Sequence, residues 1–250
     1  LEVAQTFWAK YFQPKNFLLV MASDGDGVWA DNISSTKGMR KPIEGLTNLV
    51  DQANSNFGTA NVTTTGIPYI FLCLPKESNF KINANVLHEF THLVQHKTKS
   101  SIPEWLQEGS ANFYGYALAA IKEDSSGALY NNALVIEAKR PDLLPEFKQA
   151  LANADAKFFE ISLKNNEIAV EGLGGSKIKF GYYYSGALAT EGLVAVYGHI
   201  KFAQFLDLMN NSSDWKESFE KVYGILVDDF YRNISIYISQ RTRDLGLASN

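Results

Sequence analysis

The sequence predicts an α+β fold, a small mixed-sheet N-terminal lobe at about residues 1–99 followed by a mainly helical C-terminal lobe at about 100–250, in a single domain. Three observations carry that expectation. The clear short apolar runs bounded by turn residues, which read as buried strands, fall before residue 75. From Asn83 onward apolar residues recur mostly at helical spacing. The composition, 46% hydrophobic and 20% charged with 18 Gly and 7 Pro over 250 residues, is that of a globular chain able to bury a sizeable core.

Thr6 to Phe12 is rich in aromatics and reads as a helix closed off by Pro14. Asn16 to Ala22 reads as a buried strand, followed by a turn over Ser23 to Gly27. A second strand covers part of Gly66 to Leu74 and ends at Pro75; Pro68 puts that end of the strand at a sheet edge or outside the ladder. Val86, Phe90, Leu93 and Val94 then form one helical stripe, with Lys97 and Lys99 where a helix C-terminus favours positive charge. Ser101-Ile-Pro-Glu104 has the spacing of a capping box opening a helix to about Ile121. Further helices are expected over Ala128–Arg140, Glu146–Phe159, Tyr182–Tyr197, Ile200–Met209 and Trp215–Ile238. The Gly-containing stretch from Glu160 to Gly181 reads as loop or short strand. No internal repeat is visible.

Lys plus Arg is 23 and Asp plus Glu is 27, a net charge of -4. A weakly acidic chain without a long basic run is a poor fit to nucleic acid or to an anionic membrane surface. The apolar runs Phe17–Ala22 and Ile70–Leu74 are far shorter than the roughly twenty residues of a membrane span. The lone Cys73 cannot form an internal disulfide and reads as a buried thiol. Asp24-Gly-Asp-Gly27 lacks the later ligands of a calcium loop and reads as a plain turn. Sequons at Asn32, Asn61, Asn211 and Asn233 matter only in a chain secreted by a eukaryote. No secretory signal is visible, but the chain begins at Leu1, not Met, which reads as a processed or truncated N-terminus and favours an extracytoplasmic or secreted location.

The chemistry is concentrated in His88-Glu-Phe-Thr-His92. On a helix, positions four apart share a face, so both imidazoles can reach one metal ion. Glu89 then stands beside the place of a water held by that ion, where it can act as general base. With four histidines in the chain, chance alone would produce an HExxH in about four of a thousand such sequences. The bland alternative is a pair of satisfied core histidines. A catalytic zinc needs a third protein ligand and an open position. His96 repeats the spacing, yet on a straight helix it lies about 12 Å along the axis from His88, too far to share the ion. Glu104 has a role in the capping box, and Glu108 lies one turn deeper beside the small residues Gly109 and Ala111. The reading takes Glu108 as the third ligand.

His88-Glu-Phe-Thr-His92 followed by Pro103-Glu-Trp-Leu-Gln-Glu108-Gly-Ser-Ala resembles the gluzincin zinc metallopeptidases, most closely the peptidase MA-like group. In that group an HExxH helix is followed by one with a WxxEGxA pattern. The resemblance implies a zincin-like fold with the active-site cleft between the two lobes, zinc (Zn2+, one ion) on His88, His92 and Glu108, and Glu89 as base. The separation of His92 from Glu108 is slightly shorter than in thermolysin-like and aminopeptidase relatives, as a shortened interhelical loop would make it. Thermolysin-like enzymes place an Asp one turn beyond the ligand Glu to orient the first histidine. Here that position is Asn112, whose amide carbonyl could accept the same hydrogen bond without its charge. Tyr183-Tyr-Ser-Gly-Ala187, with Gly198 beyond it, resembles the YxxGA helix of the aminopeptidase branch and implies Tyr183 as oxyanion stabiliser, with packing as the alternative for each of Tyr182, Tyr183 and Tyr184. The likeness covers about residues 65–230 and leaves 1–60 without a family motif.

The expected function is a zinc-dependent peptidase acting on a peptide or protein substrate. The substrate would lie extended along the sheet edge, at the strand near Ile67 to Leu74. The aminopeptidase branch carries a GxMEN-type segment before its HExxH; the corresponding Gly66-Ile-Pro-Tyr-Ile has no acid to capture a free amine, which favours an endopeptidase. The competing reading is a catalytically silent binding or scaffolding module that keeps the fold. The sequence sets neither the substrate nor the oligomeric state.

Overall fold

The computed structural model describes residues 1–23, 25–39, 57–73, 78–95, 102–123, 126–165 and 181–249. Asp24, Leu74, Pro75, His96, Lys97, Lys99, Ser101 and most of the Gly-containing stretch before Gly181 lie outside them, so the readings made on those residues stand only as sequence expectations. Within the described residues the protein is α+β and mostly helical, with eleven helices and one three-stranded mixed sheet. The strands are β1 (Leu18–Ala22), β2 (Phe57–Val62) and β3 (Pro68–Cys73). β3 is central, parallel to β1 and antiparallel to β2.

The period-2 alternation of β3 divides its side chains between two cores. Tyr69, Phe71 and Cys73 pack with Val20 and Ala22 of β1, and with Ala30 of helix α2 (Gly27–Thr36), in a small cluster. Ile70 and Leu72 face the other way, into the main core, with Ala60 of β2 and with Val86, Phe90, Leu93 and Val94 of helix α3 (Asn79–Gln95). Burial on both faces is why the sequence of β3 is an unbroken apolar run.

Helix α3 lies on β2 and β3 and packs against α4 (Glu104–Glu123), which in turn packs against α8 (Gly181–Tyr197). Both helix pairs meet where a glycine removes the side chain. A Cβ on Gly115 of α4 would fall 2.8 Å from the Ala84 carbonyl oxygen of α3, and one on Gly186 of α8 would strike the Trp105 carbonyl and Gly109. These two close approaches set α4 between α3 and α8, and with it Glu108 beside the HExxH helix and Tyr183. The other helices are α1 (Glu2–Trp8), α5 (Ala128–Ala138), α6 (Pro145–Asn153), α7 (Ala156–Asn165), α9 (His199–Met209), α10 (Trp215–Tyr223) and α11 (Val227–Asp244). The Glu191 carboxylate ties α8 to α5 and α11 by accepting from the Tyr130 and Tyr237 hydroxyls and from Arg241 Nε, at 2.7 to 2.8 Å. No helix among the described residues is long and apolar enough to cross a membrane.

Several element boundaries differ from the sequence expectation. The expected helix Glu146–Phe159 is two, α6 and α7, separated at Ala154, which adopts a left-handed conformation (φ 46, ψ 51); Asp155 Oδ1 then accepts from Phe158 N to start α7, which runs on to Asn165. Trp215–Ile238 is likewise split, at Gly224 with φ 73. The Pro103 carbonyl accepts from Leu106 and Gln107, making Glu104 the first residue of α4; the expected capping box rests on Ser101, outside the described residues. Helix α1 ends at Trp8, earlier than Phe12. α2 and β2 were not foreseen at all.

Candidate metal centre

Helix α3 buries its apolar stripe on the sheet, which turns the neighbouring face, bearing His88 and His92, toward α4. There the two Nε2 atoms lie 3.0 Å apart, and Glu108 Oε2 lies 3.4 Å from each. Donor atoms held at 2.0–2.2 Å by a tetrahedral ion stand roughly 3.3 Å from one another, so this triangle has the size of one face of such a coordination shell. His88, His92 and Glu108 form a group that could hold a metal ion.

The outer nitrogens of both rings are occupied. His88 Nδ1 is 2.8 Å from Asn112 Oδ1, one turn beyond Glu108 on α4. His92 Nδ1 is 2.8 Å from Gln95 Oε1. An amide oxygen only accepts, so with the amides in these orientations each Nδ1 donates outward and the two Nε2 atoms are left facing inward. That outward hydrogen bond is the one that orients a histidine as a metal ligand. Of the two amides, Asn112 stands where the sequence reading looked for an orienting group; Gln95 was missed. Its signal was present, three residues after His92 on the same helix face.

The electrostatics also favour a cation. Burial works to lower the His92 pKa, but the charge and hydrogen bond of Glu108 outweigh it and push it up to about 9. Burial acts to raise Glu108, and the two imidazoles overcome it and hold the carboxyl well below its ordinary range. The centre thus keeps its carboxylate ionised and attracts positive charge. Glu89 differs. Burial raises its pKa, with His88 and His92 acting in the opposite direction. The strand β2 passes directly over it, since a Cβ on Gly58 would run into Glu89 Oε1. No periodicity in Phe-Gly-Thr-Ala-Asn-Val announced that strand, and Gly58 was not anticipated.

Of the three consecutive tyrosines, Tyr184 points away from the centre, with its hydroxyl 3.0 Å from Thr242 Oγ1 in the core. The Tyr183 ring lies against the His88 ring, centroids 6.4 Å apart, with the Arg140 guanidinium 5.5 Å from its own centroid. Burial raises its phenol pKa, and the nearby Glu108 charge raises it further. Tyr182 is similarly raised, by burial and then by Glu104 and Glu108.

The sheet topology overturns one expectation. The strand near Ile67 to Leu74 is β3, paired on both sides, so it offers no edge to a substrate. The strand beside Glu89 is β2, which among the described residues pairs on one side only. No protein-family model, no curated protein and no solved structure matches the chain, so the centre is defined by its own geometry.

Proposed function

We propose that the protein is a zinc-dependent peptidase of zincin-like fold, with its cleft between the sheet-bearing lobe and the helices that follow. The observation that supports this best is the convergence of two Nε2 atoms and one carboxylate oxygen at 3.0 to 3.4 Å, beside a buried carboxylate that is no part of the triangle. His88, His92 and Glu108 would hold the ion. When bound there, zinc supplies Lewis acidity, lowering the pKa of water toward neutrality and polarising a carbonyl oxygen.

Glu89 takes the proton of the attacking water and later delivers it to the leaving amine. Its raised pKa suits both halves of that exchange, because a carboxyl with too low a pKa would be a poor acceptor. Tyr183, kept protonated, donates its hydroxyl to the oxyanion that develops on the substrate carbonyl. The free side of β2 would receive an extended peptide by main-chain hydrogen bonds, with Gly58 bringing that strand directly against Glu89. Binding along a strand edge does not depend on a chain terminus, which fits an endopeptidase.

The test is Glu89→Gln. The variant should retain zinc and lose several orders of magnitude in peptide turnover, since it removes the proton acceptor and leaves the ligands. Undiminished hydrolysis by Glu89→Gln would end this mechanism. No hydrolysis of any peptide by the zinc-loaded parent would leave a binding module.

A further inference from the structure

The Gln95 side chain does more than meet His92. Its Nε2 donates to the Gln107 carbonyl at 2.9 Å and to Ser110 Oγ at 2.8 Å, and the side chain is buried. A main-chain carbonyl only accepts, so the Gln95 atom facing it must be the nitrogen. The planar amide then has one orientation, with Oε1 turned to His92 Nδ1. Gln107 and Ser110 flank Glu108 in α4. One amide therefore connects the ring of a ligand on α3 to the helical turn that carries the ligand on α4.

Asn112 provides the contrast. It holds His88 through a single bond, while its own Nδ2 is buried without a partner, so nothing fixes that amide from its far end. His92 is indexed against α4 through one amide that holds its ring by one hydrogen bond and α4 by two. A glutamate at 95 could accept from His92 but could not donate to the Gln107 carbonyl; a methionine could fill the space and do neither.

We infer that Gln95 is a positioning residue for the metal centre, a strut between α3 and α4 that fixes the His92 tautomer and the separation of His92 from Glu108. This rests on the reading of His88, His92 and Glu108 as metal ligands. The strut adds no charge, so its contribution is geometric. Partners that orient metal-binding histidines typically change affinity by about 10- to 100-fold when removed.

The experiment measures Zn2+ affinity of the metal-stripped full chain by competition with a chromophoric chelator, together with the visible absorption of the Co2+-loaded protein. Gln95→Met should weaken Zn2+ binding about 10- to 100-fold and alter the Co2+ spectrum. Ser110→Ala, which removes one anchor and leaves the His92 acceptor in place, should shift both in the same direction by a smaller factor. Ser239→Ala deletes a comparable buried hydrogen bond, to the Ala154 carbonyl at 2.7 Å, far along the chain, and should leave both unchanged. The strut is refuted if folded Gln95→Met binds Zn2+ like the parent, or if Ser239→Ala weakens binding equally. Should Gln95→Met fail to fold, parent-like affinity and spectrum in Ser110→Ala refute it instead. A parent that takes up no Zn2+ overturns the metal centre itself, and the strut with it.

Discussion

His88 and His92 aim their Nε2 atoms at each other across 3.0 Å, while the Nδ1 of each is already committed to a side-chain amide oxygen. Two neutral imidazoles in that arrangement oppose lone pair to lone pair, which is unfavourable unless a cation lies between them. A proton on one nitrogen satisfies the pair, and the charge and hydrogen bond of Glu108, which outweigh burial and push the His92 pKa up to about 9, favour it there. A metal ion would satisfy both nitrogens and Glu108 together. Two buried amides, Asn112 and Gln95, hold the rings in this geometry.

The closeness of β2 to Glu89 gives the first prediction. Gly58→Ala places a methyl group against the Glu89 carboxylate and Leu72. Glu89 is buried, so its carboxylate must turn out of position to make room. Zinc affinity should remain at the parent value while turnover falls by about 10-fold or more, as expected when a general base loses its alignment. Parent-like turnover in a folded Gly58→Ala would show that Glu89 does not act from its observed position.

Tyr183 and Tyr184 should separate cleanly. Tyr183→Phe is expected to lower turnover by roughly 100-fold with zinc binding unchanged, the effect of deleting one oxyanion donor. Tyr184→Phe loses only the hydrogen bond to Thr242 and should cost about 1 kcal/mol of stability with turnover retained. Equal kinetic losses in the two variants would assign the effect to packing of α8.

A third expectation concerns His199, at the start of α9. Its ring lies tilted against that of Phe7, centroids 3.9 Å apart, and its Nδ1 meets the Tyr114 hydroxyl at 3.0 Å. Burial lowers its pKa from 6.5 to about 4. The unfolded chain therefore binds this proton at a pH where the folded chain refuses it. The corresponding stability is complete above pH 6.5 and is lost as the pH falls toward about 4. His199→Phe should flatten the dependence of the urea midpoint on pH between about 6.5 and 5. An unchanged slope in the variant would mean that the ring titrates freely.

What the sequence made legible was local. HExxH and Glu108 are read from helical spacing and from a pattern of residue types, and the apolar stripe of α3 says which face the histidines must avoid. β3 was legible because burial on both faces leaves a continuous apolar run. The neighbours of β3 were not: β2 contains Gly58, Ala60 and Asn61, and its place as the outer strand over Glu89 follows from pairing, which no single segment encodes. Ala154 breaks a helix in a left-handed conformation that Gly or Asn would have announced and alanine does not. Gln95 lay within reach of a reading by helical position, but its two bonds to α4 depend on how closely two helices pack at Gly115.

The most direct measurement of the central claim is Zn2+ titration of the metal-stripped protein by calorimetry, on the parent and on His88→Ala and His92→Ala. The account predicts one tight equivalent for the parent and none for either variant, with the helical circular dichroism of both retained. Undiminished stoichiometry in both variants, or no uptake by the parent, would contradict it.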